Sequence, residues 1–160
     1  MSRAWVFPVL TAALATGIVA VMGSTITVTG PWYDQLIQPR WAPPDRAYAI
    51  AWTIIYAINV VALVTGWHAM RTRREAETFI ALWATNGFLN ILWSLLFFRL
   101  QRPDWSVIEV IFLWLSVGSL IVYGWRRSMT ASIVLVPYLL WVTFAGYLNM
   151  AVVRLNGPFP

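Results

Sequence analysis

The hydrophobic pattern of this 160-residue chain consists of five apolar segments, each of about 20 residues or more. Four of them, 4–33, 47–70, 78–98 and 128–153, contain no Asp, Glu, Lys or Arg, and the fifth, 105–125, contains only Glu109. A helix needs about 20 apolar residues to cross the hydrocarbon core of a bilayer. The pattern therefore predicts an all-α integral membrane protein, a bundle of five transmembrane helices at about residues 4–28, 47–70, 77–98, 105–125 and 130–153.

One long connection, residues 29–46, separates the first two predicted spans. The later connections are short, so consecutive spans should be antiparallel neighbours in a single domain covering residues 1–160. The long loop carries Trp32 and Trp41 together with three prolines, Pro39, Pro43 and Pro44, which favour extended backbone. A rigid aromatic loop of this kind fits a lid over a pocket, and it equally fits an interfacial belt of tryptophan and tyrosine.

Charge and residue usage narrow the classes of function. The eleven basic residues are all arginines at the ends of the apolar segments, which favours contact with a lipid bilayer and argues against a nucleic-acid partner. The chain has no cysteine and a single histidine, His68, so we predict no metal site. No Ser/His/Asp arrangement is in plausible reach, so no residue is firmly predicted to be catalytic. We expect a multi-pass integral membrane protein of the bacterial cell envelope.

Aromatic and amide side chains recur at helical spacing on three of the predicted spans. They are Trp52, Tyr56 and Asn59 on the second span, Asn86, Asn90 and Trp93 on the third, and Trp141, Ala145 and Leu148 on the fifth. Each amide alone is explained by hydrogen bonding between helices, because polar groups in lipid need partners. The three faces together predict an aromatic-walled slot for a flat, largely apolar ligand.

Small residues form a stripe on the first span. Ala12, Thr16 and Ala20 lie at four-residue intervals, with Ala13 and Gly17 beside them. Such stripes let helices approach closely in lipid, either between two subunits or inside the bundle. We favour the first interpretation and expect a homodimer.

Glu109 is the one ionisable residue well inside an apolar segment. It follows Trp105 by one helical turn, which predicts a shallow position in the membrane. We expect it to pair with Arg99 or Arg102 rather than to serve a ligand or a proton.

The motifs taken together resemble the tryptophan-rich sensory protein / translocator protein family (TspO/MBR, the peripheral-type benzodiazepine receptors), over essentially the whole chain. The matching motifs are Trp32-Tyr33 with Leu36 and Pro39, Trp41-Ala42-Pro43-Pro44, Ala51-Trp52-Thr53 with Tyr56, Asn90 with Trp93, Phe97-Phe98, Pro137-Tyr138-Leu139 with Trp141, and Ala145 with Leu148-Asn149.

The resemblance implies a commonly dimeric five-helix bundle that binds porphyrins such as protoporphyrin IX, with porphyrin as ligand and no obligatory cofactor. Its pocket is implied to lie under the first loop, among all five helices. The candidate ligand-binding residues from spacing and resemblance are Trp32, Trp41, Trp52, Tyr56, Asn86, Asn90, Trp93, Trp141, Ala145 and Leu148. The leading hypothesis is a membrane receptor or carrier for tetrapyrroles and other flat apolar ligands. Its role would be linked to pigment or stress regulation.

Two other hypotheses stay open at this point. Some bacterial family members are reported to break down porphyrin in light, a role tied to the tryptophans that match Trp52 and Trp141, which implies an enzyme. The third is a structural subunit whose pocket is unused.

The chain also departs from the family pattern. Gln38 stands where the family commonly has a basic residue, and Arg46 stands where it commonly has an aromatic one. The added charge of Arg40 and Arg46 could favour a dianionic porphyrin. The tyrosine of the animal cholesterol motif is missing after Asn149, so we do not expect strong cholesterol binding.

Overall fold

The computed structural model describes residues 3–27 and 29–159, and side chains from residue 7 onward. Its elements are α1 (Arg3–Ile26), α2 (Pro31–Gln35), α3 (Asp45–Ala69), α4 (Arg73–Ser94), a π-helical turn (Leu95–Arg99), α5 (Pro103–Trp125), α6 (Met129–Val134) and α7 (Val136–Asn156). Within these described ranges there is no β-strand.

Five helical segments are long and apolar enough to cross a membrane: Phe7–Ile26, Asp45–Ala69, Arg73–Arg99, Pro103–Trp125 and Met129–Asn156. Many large apolar side chains point away from the bundle, among them Phe7, Leu14, Phe88, Val122 and Leu140. An apolar outer surface of this extent suits lipid rather than water. The prediction of an all-α, five-span integral membrane protein is confirmed.

The centre of the bundle is the packing of α5 against α4 and α7. Val117, Leu120, Tyr138 and Val142 are almost completely buried there, and Ala62 of α3 packs into the same cluster.

The fifth span is interrupted between α6 and α7, where the sequence predicts one continuous helix over 130–153. Leu135 separates the two helices, and Pro137 occupies the first turn of α7. Proline has no N–H to donate to the preceding turn, so α7 begins anew at this point. The break also separates Tyr138 and the rest of α7 from the register of α6.

The turn between α3 and α4 ends in a capping box. Thr72 accepts a hydrogen bond from the Glu75 backbone N–H, and the Glu75 carboxylate accepts one from the Thr72 N–H. Glu75 also receives the Arg127 guanidinium at 3.1 Å, and its carbonyl accepts from the Tyr123 hydroxyl at 3.0 Å. These bonds tie the start of α4 to the end of α5 at one end of the bundle.

The small-residue stripe of α1 packs inside the bundle. Ala12 and Thr16 are buried, and Ala20 lines an internal cavity. Ala13 is exposed, and no atom lies within 4 Å of the position that a Cβ on Gly17 would take. The stripe is therefore used within one chain, and the homodimer stays a prediction.

The expected pairing of Glu109 is wrong. Its side chain is only 5% exposed, and neither carboxylate oxygen has a hydrogen-bond partner among the described residues. Arg102 instead bonds Asp104, with 2.8 Å between Nε and Oδ1. Helix α5 begins at Pro103, so Glu109 lies about 9 Å along its axis and faces the bundle interior rather than the arginines at its end.

Candidate functional site

A cavity of about 660 Å³ lies among α1, α3, α4, the π-helical turn and α7, beneath the loop after α1. Aromatic, small and a few polar side chains line it: Ala20, Val21, Gly23, Ser24, Thr27, Thr29, Tyr33, Gln38, Asp45, Tyr48, Ala49, Trp52, Thr53, Tyr56, Asn90, Trp93, Ser94, Phe97, Phe98, Trp141, Ala145, Leu148, Asn149 and Val152. Helix α5 contributes none of them, so the cavity is walled by four of the five spans rather than by all five.

Two aromatic panels form parts of the wall. Trp52 stacks on Tyr56 with 5.6 Å between ring centroids and meets Trp141 edge-on at 6.5 Å. On the other panel Trp93 stacks on Phe97 at 5.2 Å. The two stacked pairs, Trp52–Tyr56 and Trp93–Phe97, each join residues four apart in one helical span, because that spacing places side chains one above the other. The result is a set of flat apolar surfaces held in fixed orientations.

The amides near the cavity are mostly engaged with other helices. Asn90 donates to the Tyr138 hydroxyl at 3.2 Å, and that hydroxyl donates to the Asn86 amide oxygen at 3.4 Å. Asn149 and the Ser106 hydroxyl are hydrogen-bonded at 2.7 Å. Helix–helix bonding thus accounts for these amides, although Asn90 and Asn149 also line the cavity. Their fixed positions make the polar part of the wall rigid.

One polar group at the cavity has no partner. The indole N–H of Trp141 is buried and makes no hydrogen bond to any described residue, while the Trp141 ring lines the cavity. An unpaired buried donor costs free energy.

The loop above the cavity is held down by aromatic contacts and one amide. Trp32 of α2 meets Phe97 at 6.2 Å, and Trp41 stacks on Tyr147 of α7 at 5.1 Å. The Asn156 side chain accepts from the Ile37 N–H at 2.7 Å and donates to the Ile37 carbonyl at 3.0 Å. We call residues 29–44 the lid segment, because they cover the cavity and are fixed to two spans.

The lid segment is partly helical, although its prolines suggested an extended loop. Pro31 begins α2, a position where its missing N–H costs nothing. Backbone at Leu36 and Pro44 is extended. Tyr33 of α2 reaches the cavity; burial, followed by the nearby Asp45 and Asp34, raises its pKa, so its hydroxyl remains a neutral donor.

Seven of the ten candidate ligand-binding residues line the cavity: Trp52, Tyr56, Asn90, Trp93, Trp141, Ala145 and Leu148. Trp32 and Trp41 do not, because they are used to hold the lid segment against the spans. Asn86 lies one helical turn from Asn90 and lines a smaller neighbouring cavity instead.

Several lining residues were not among the candidate ligand-binding residues predicted from the sequence, among them Tyr33, Gln38 and Tyr48. Tyr48 precedes Trp52 by one turn of α3, so helical spacing could have identified it. The two loop residues have no periodic signal that would indicate the direction of their side chains.

Charge at the cavity differs from the expectation drawn from the lid arginines. Asp45 is the one charged side chain among the described lining residues. Arg40 and Arg46 are exposed and belong to the outer surface near the lid segment. Any anionic group that these arginines bind would therefore lie outside the cavity proper.

Comparisons with known proteins agree with this architecture. Residues 5–155 match the model of the TspO/MBR family. The chain is 36% identical over 157 residues to the tryptophan-rich protein TspO of Chlorobaculum tepidum, a match covering 92% of this chain and 97% of that protein. Protein CrtK of Rhodobacter capsulatus is 34% identical, with 86% and 87% covered. The translocator protein of Sus scrofa is 29% identical, with 78% and 75% covered.

Proposed function

The chain belongs to the TspO/MBR family, and from this premise we propose that it is a membrane receptor or carrier that binds tetrapyrroles in the cavity beneath the lid segment. The family membership supports a membrane receptor or regulatory role. Tetrapyrrole binding is the finer part of the proposal and rests on the shape and chemistry of the cavity.

The aromatic cavity is the observation that carries the proposal. Its volume of about 660 Å³ falls within the range of small-molecule sites, about 300–1,000 Å³. The Trp52–Tyr56 and Trp93–Phe97 panels offer flat faces on which a conjugated macrocycle can pack. Most of the wall is apolar, as the hydrophobic body of such a ligand requires.

The polar groups fit the periphery of a porphyrin. The neutral Tyr33 hydroxyl is a donor, and a carboxylate or carbonyl oxygen of the ligand would accept from it. Because Asp45 disfavours a carboxylate close to itself, we expect propionate groups to point toward the exposed Arg40 and Arg46 at the rim.

The test is a titration of the purified protein with protoporphyrin IX, monitored by the shift of the Soret band. We expect saturable binding by the wild type and binding at least about tenfold weaker for Ala145→Phe, which fills the cavity beside Trp141. Met150→Phe, on the exposed side of the same helix, is the matched control and should bind normally. Equal affinity of both variants would place the porphyrin elsewhere.

Light- and oxygen-dependent breakdown of porphyrin is the second candidate function. One observation favours it: Trp52 and Trp141 both line the cavity, with 6.5 Å between their rings, so one bound macrocycle could contact two oxidisable indoles. The binding proposal does not need this chemistry.

A further inference from the structure

Asp45, the first residue of α3, places a carboxylate at the end of the cavity that the lid segment covers. It is the one charged side chain among the described lining residues, and it is exposed rather than buried in the wall. Within the described part of the chain the three ion pairs involve other acids, namely Glu75, Glu77 and Asp104. No arginine therefore holds the Asp45 carboxylate, and a cationic group of a ligand can reach it.

The side chain of Asp45 lies on the face of α3 that forms the cavity wall. Tyr48 and Trp52 follow it by three and seven residues, so the three side chains share one face of the helix, and all three line the cavity. Asp45 is also close enough to Tyr33 of the lid segment to contribute to the raised pKa of that hydroxyl. The carboxylate is thus surrounded by other groups that line the cavity.

Three aromatic rings lie next to this carboxylate along the wall. Tyr48 meets Trp141 edge-on with 6.1 Å between ring centroids, and Trp52 meets the same indole edge-on at 6.5 Å. Along the helix axis Asp45 is about 4–5 Å from Tyr48 and about 10 Å from Trp52. One molecule about 10 Å long can therefore touch the carboxylate and still lie against the rings.

We propose that the cavity also binds flat apolar organic amines, with the ammonium group at Asp45 and the apolar body against Tyr48, Trp52 and Trp141. A carboxylate accepts hydrogen bonds from an ammonium group and balances its charge. The faces of tyrosine and tryptophan rings attract a cation that lies within about 6 Å of their centroids. A neutral alcohol gains neither electrostatic contribution, and an anion is repelled by Asp45.

This inference uses the cavity of the proposed function but does not require that tetrapyrroles bind there. The simpler explanation of Asp45 is a favourable interaction with the N-terminus of α3, where an acidic residue is stabilising. That explanation predicts no preference between ligands of different charge. The charge preference of binding therefore decides between the two roles.

The experiment compares three probes that share one ring system and differ in charge: pyrenylmethylamine, pyrenylmethanol and pyrenecarboxylate. Binding to the purified full-length protein in a neutral detergent is measured by energy transfer from tryptophan to pyrene. In Asp45→Asn the affinity for the amine should fall about three- to fivefold, the range of an exposed ion pair, while the affinity for the alcohol stays unchanged. Comparing variants with the same probe cancels its partitioning into detergent.

Asp34→Asn is the matched control for charge. It removes an exposed carboxylate from α2, outside the described cavity lining, so the affinities for all three probes should equal those of the wild type. In Asp45→Asn the carboxylate probe should bind more tightly than it binds the wild type. An amine affinity equal in the wild type and Asp45→Asn would overturn the proposal and leave Asp45 with its role at the start of α3.

A second pair of variants locates the bound amine. Ala49→Phe fills the cavity between Asp45 and Trp52 and should weaken binding of the amine and the alcohol at least about tenfold. Ile50→Phe, at an exposed position outside the described lining, should bind normally. Thermal unfolding checks that each variant is folded. Unchanged amine binding by folded Ala49→Phe would place the amine outside the cavity and contradict the proposal, whatever the outcome of the porphyrin titration.

Discussion

Trp52 and Trp141 are the residues at which binding and chemistry can be separated. Both rings line the larger cavity and lie edge-to-face, so each serves as a packing surface whatever else it does. An aromatic contact contributes about 0.5–1.5 kcal/mol beyond the burial of its area. Phenylalanine retains most of that contribution, but it lacks the N–H and is much harder to oxidise than indole.

The double variant Trp52→Phe/Trp141→Phe should bind protoporphyrin IX no more than about tenfold less tightly than the wild type, a loss of about 1.4 kcal/mol. If the protein degrades porphyrin in light, the same variant should lose that activity while it still binds. The measurement is porphyrin absorbance under constant illumination, with free porphyrin in the same detergent as the control. Wild-type bleaching no faster than this control would eliminate the enzyme hypothesis.

The pairing of Glu109 could not be predicted from the sequence. Arg99 and Arg102 are close in sequence, and pairing is the natural expectation for a lone acid near the end of a span. The direction of its side chain depends on where α5 begins, and Arg102 is already engaged by Asp104. Several charged groups near the end of a span compete for the same partners in three dimensions. The spacing of residues in the sequence does not show which of them will pair.

At the level of elements, the lid segment depends on one amide at the far end of the chain. Asn156, the last residue of α7, makes two hydrogen bonds to the backbone of Ile37, 119 residues away. The aromatic contacts of Trp32 and Trp41 hold the lid segment at other points. Aromatic packing and the hydrogen bonds of Asn156 therefore both hold the lid segment over the cavity.

Asn156→Ala should loosen the lid segment without unfolding the spans. Two hydrogen bonds of about 0.5–1 kcal/mol each correspond to ligand dissociation roughly 5- to 30-fold faster. Stopped-flow displacement of bound porphyrin gives this rate, and circular dichroism gives the helix content, which should not change. Gln101→Ala, at an exposed loop position, is the control. A dissociation rate equal to that of the wild type would show that the Asn156 hydrogen bonds do not limit release of the porphyrin.

The helices were predictable because apolar length and three-residue to four-residue periodicity are local properties of the sequence. The irregularities within these helices were less predictable. The break before Pro137 has a local cause in the sequence, whereas the π-helical turn at Leu95–Arg99 has no distinctive residue signature. The loop residues Gln38 and Tyr33 line the cavity in a lid segment that Trp32, Trp41 and Asn156 hold in place, and those long-range contacts cannot be inferred from spacing.

For the molecule as a whole, five crossings place the lid segment and the α5–α6 connection on opposite sides of the membrane. Six arginines lie toward the N-terminal side and five toward the other, a small bias for a cytoplasmic N-terminus. The chain has no cysteine of its own, so single introduced thiols report unambiguously.

Arg40→Cys and Arg126→Cys form a matched pair for this test, since both positions are exposed and lie outside the spans. In sealed, uniformly oriented vesicles a membrane-impermeant maleimide should label one of them, and the other should react only after the vesicles are permeabilised. Labelling of both from the same side would contradict the three crossings that lie between these two positions.

The π-helical turn at Leu95–Arg99 has a consequence for how this chain can tolerate insertions and deletions. Its Leu100 N–H bonds the Leu95 carbonyl five residues back, so the turn holds one residue more than an α-helical turn. Removing one residue from this turn would convert it into an ordinary α-helical turn and keep the flanking segments close to their present register. Removing one residue from the regular part of α4 would instead rotate the residues on its two sides by about 100° relative to one another. Phe97 and Phe98 support Trp32 and Tyr33 of the lid segment from this turn. A one-codon deletion in the regular part of α4 would thus preserve insertion and helix content but misalign the cavity wall with the lid segment, whereas the π-helical turn is the place where this span can lose a residue without that rotation.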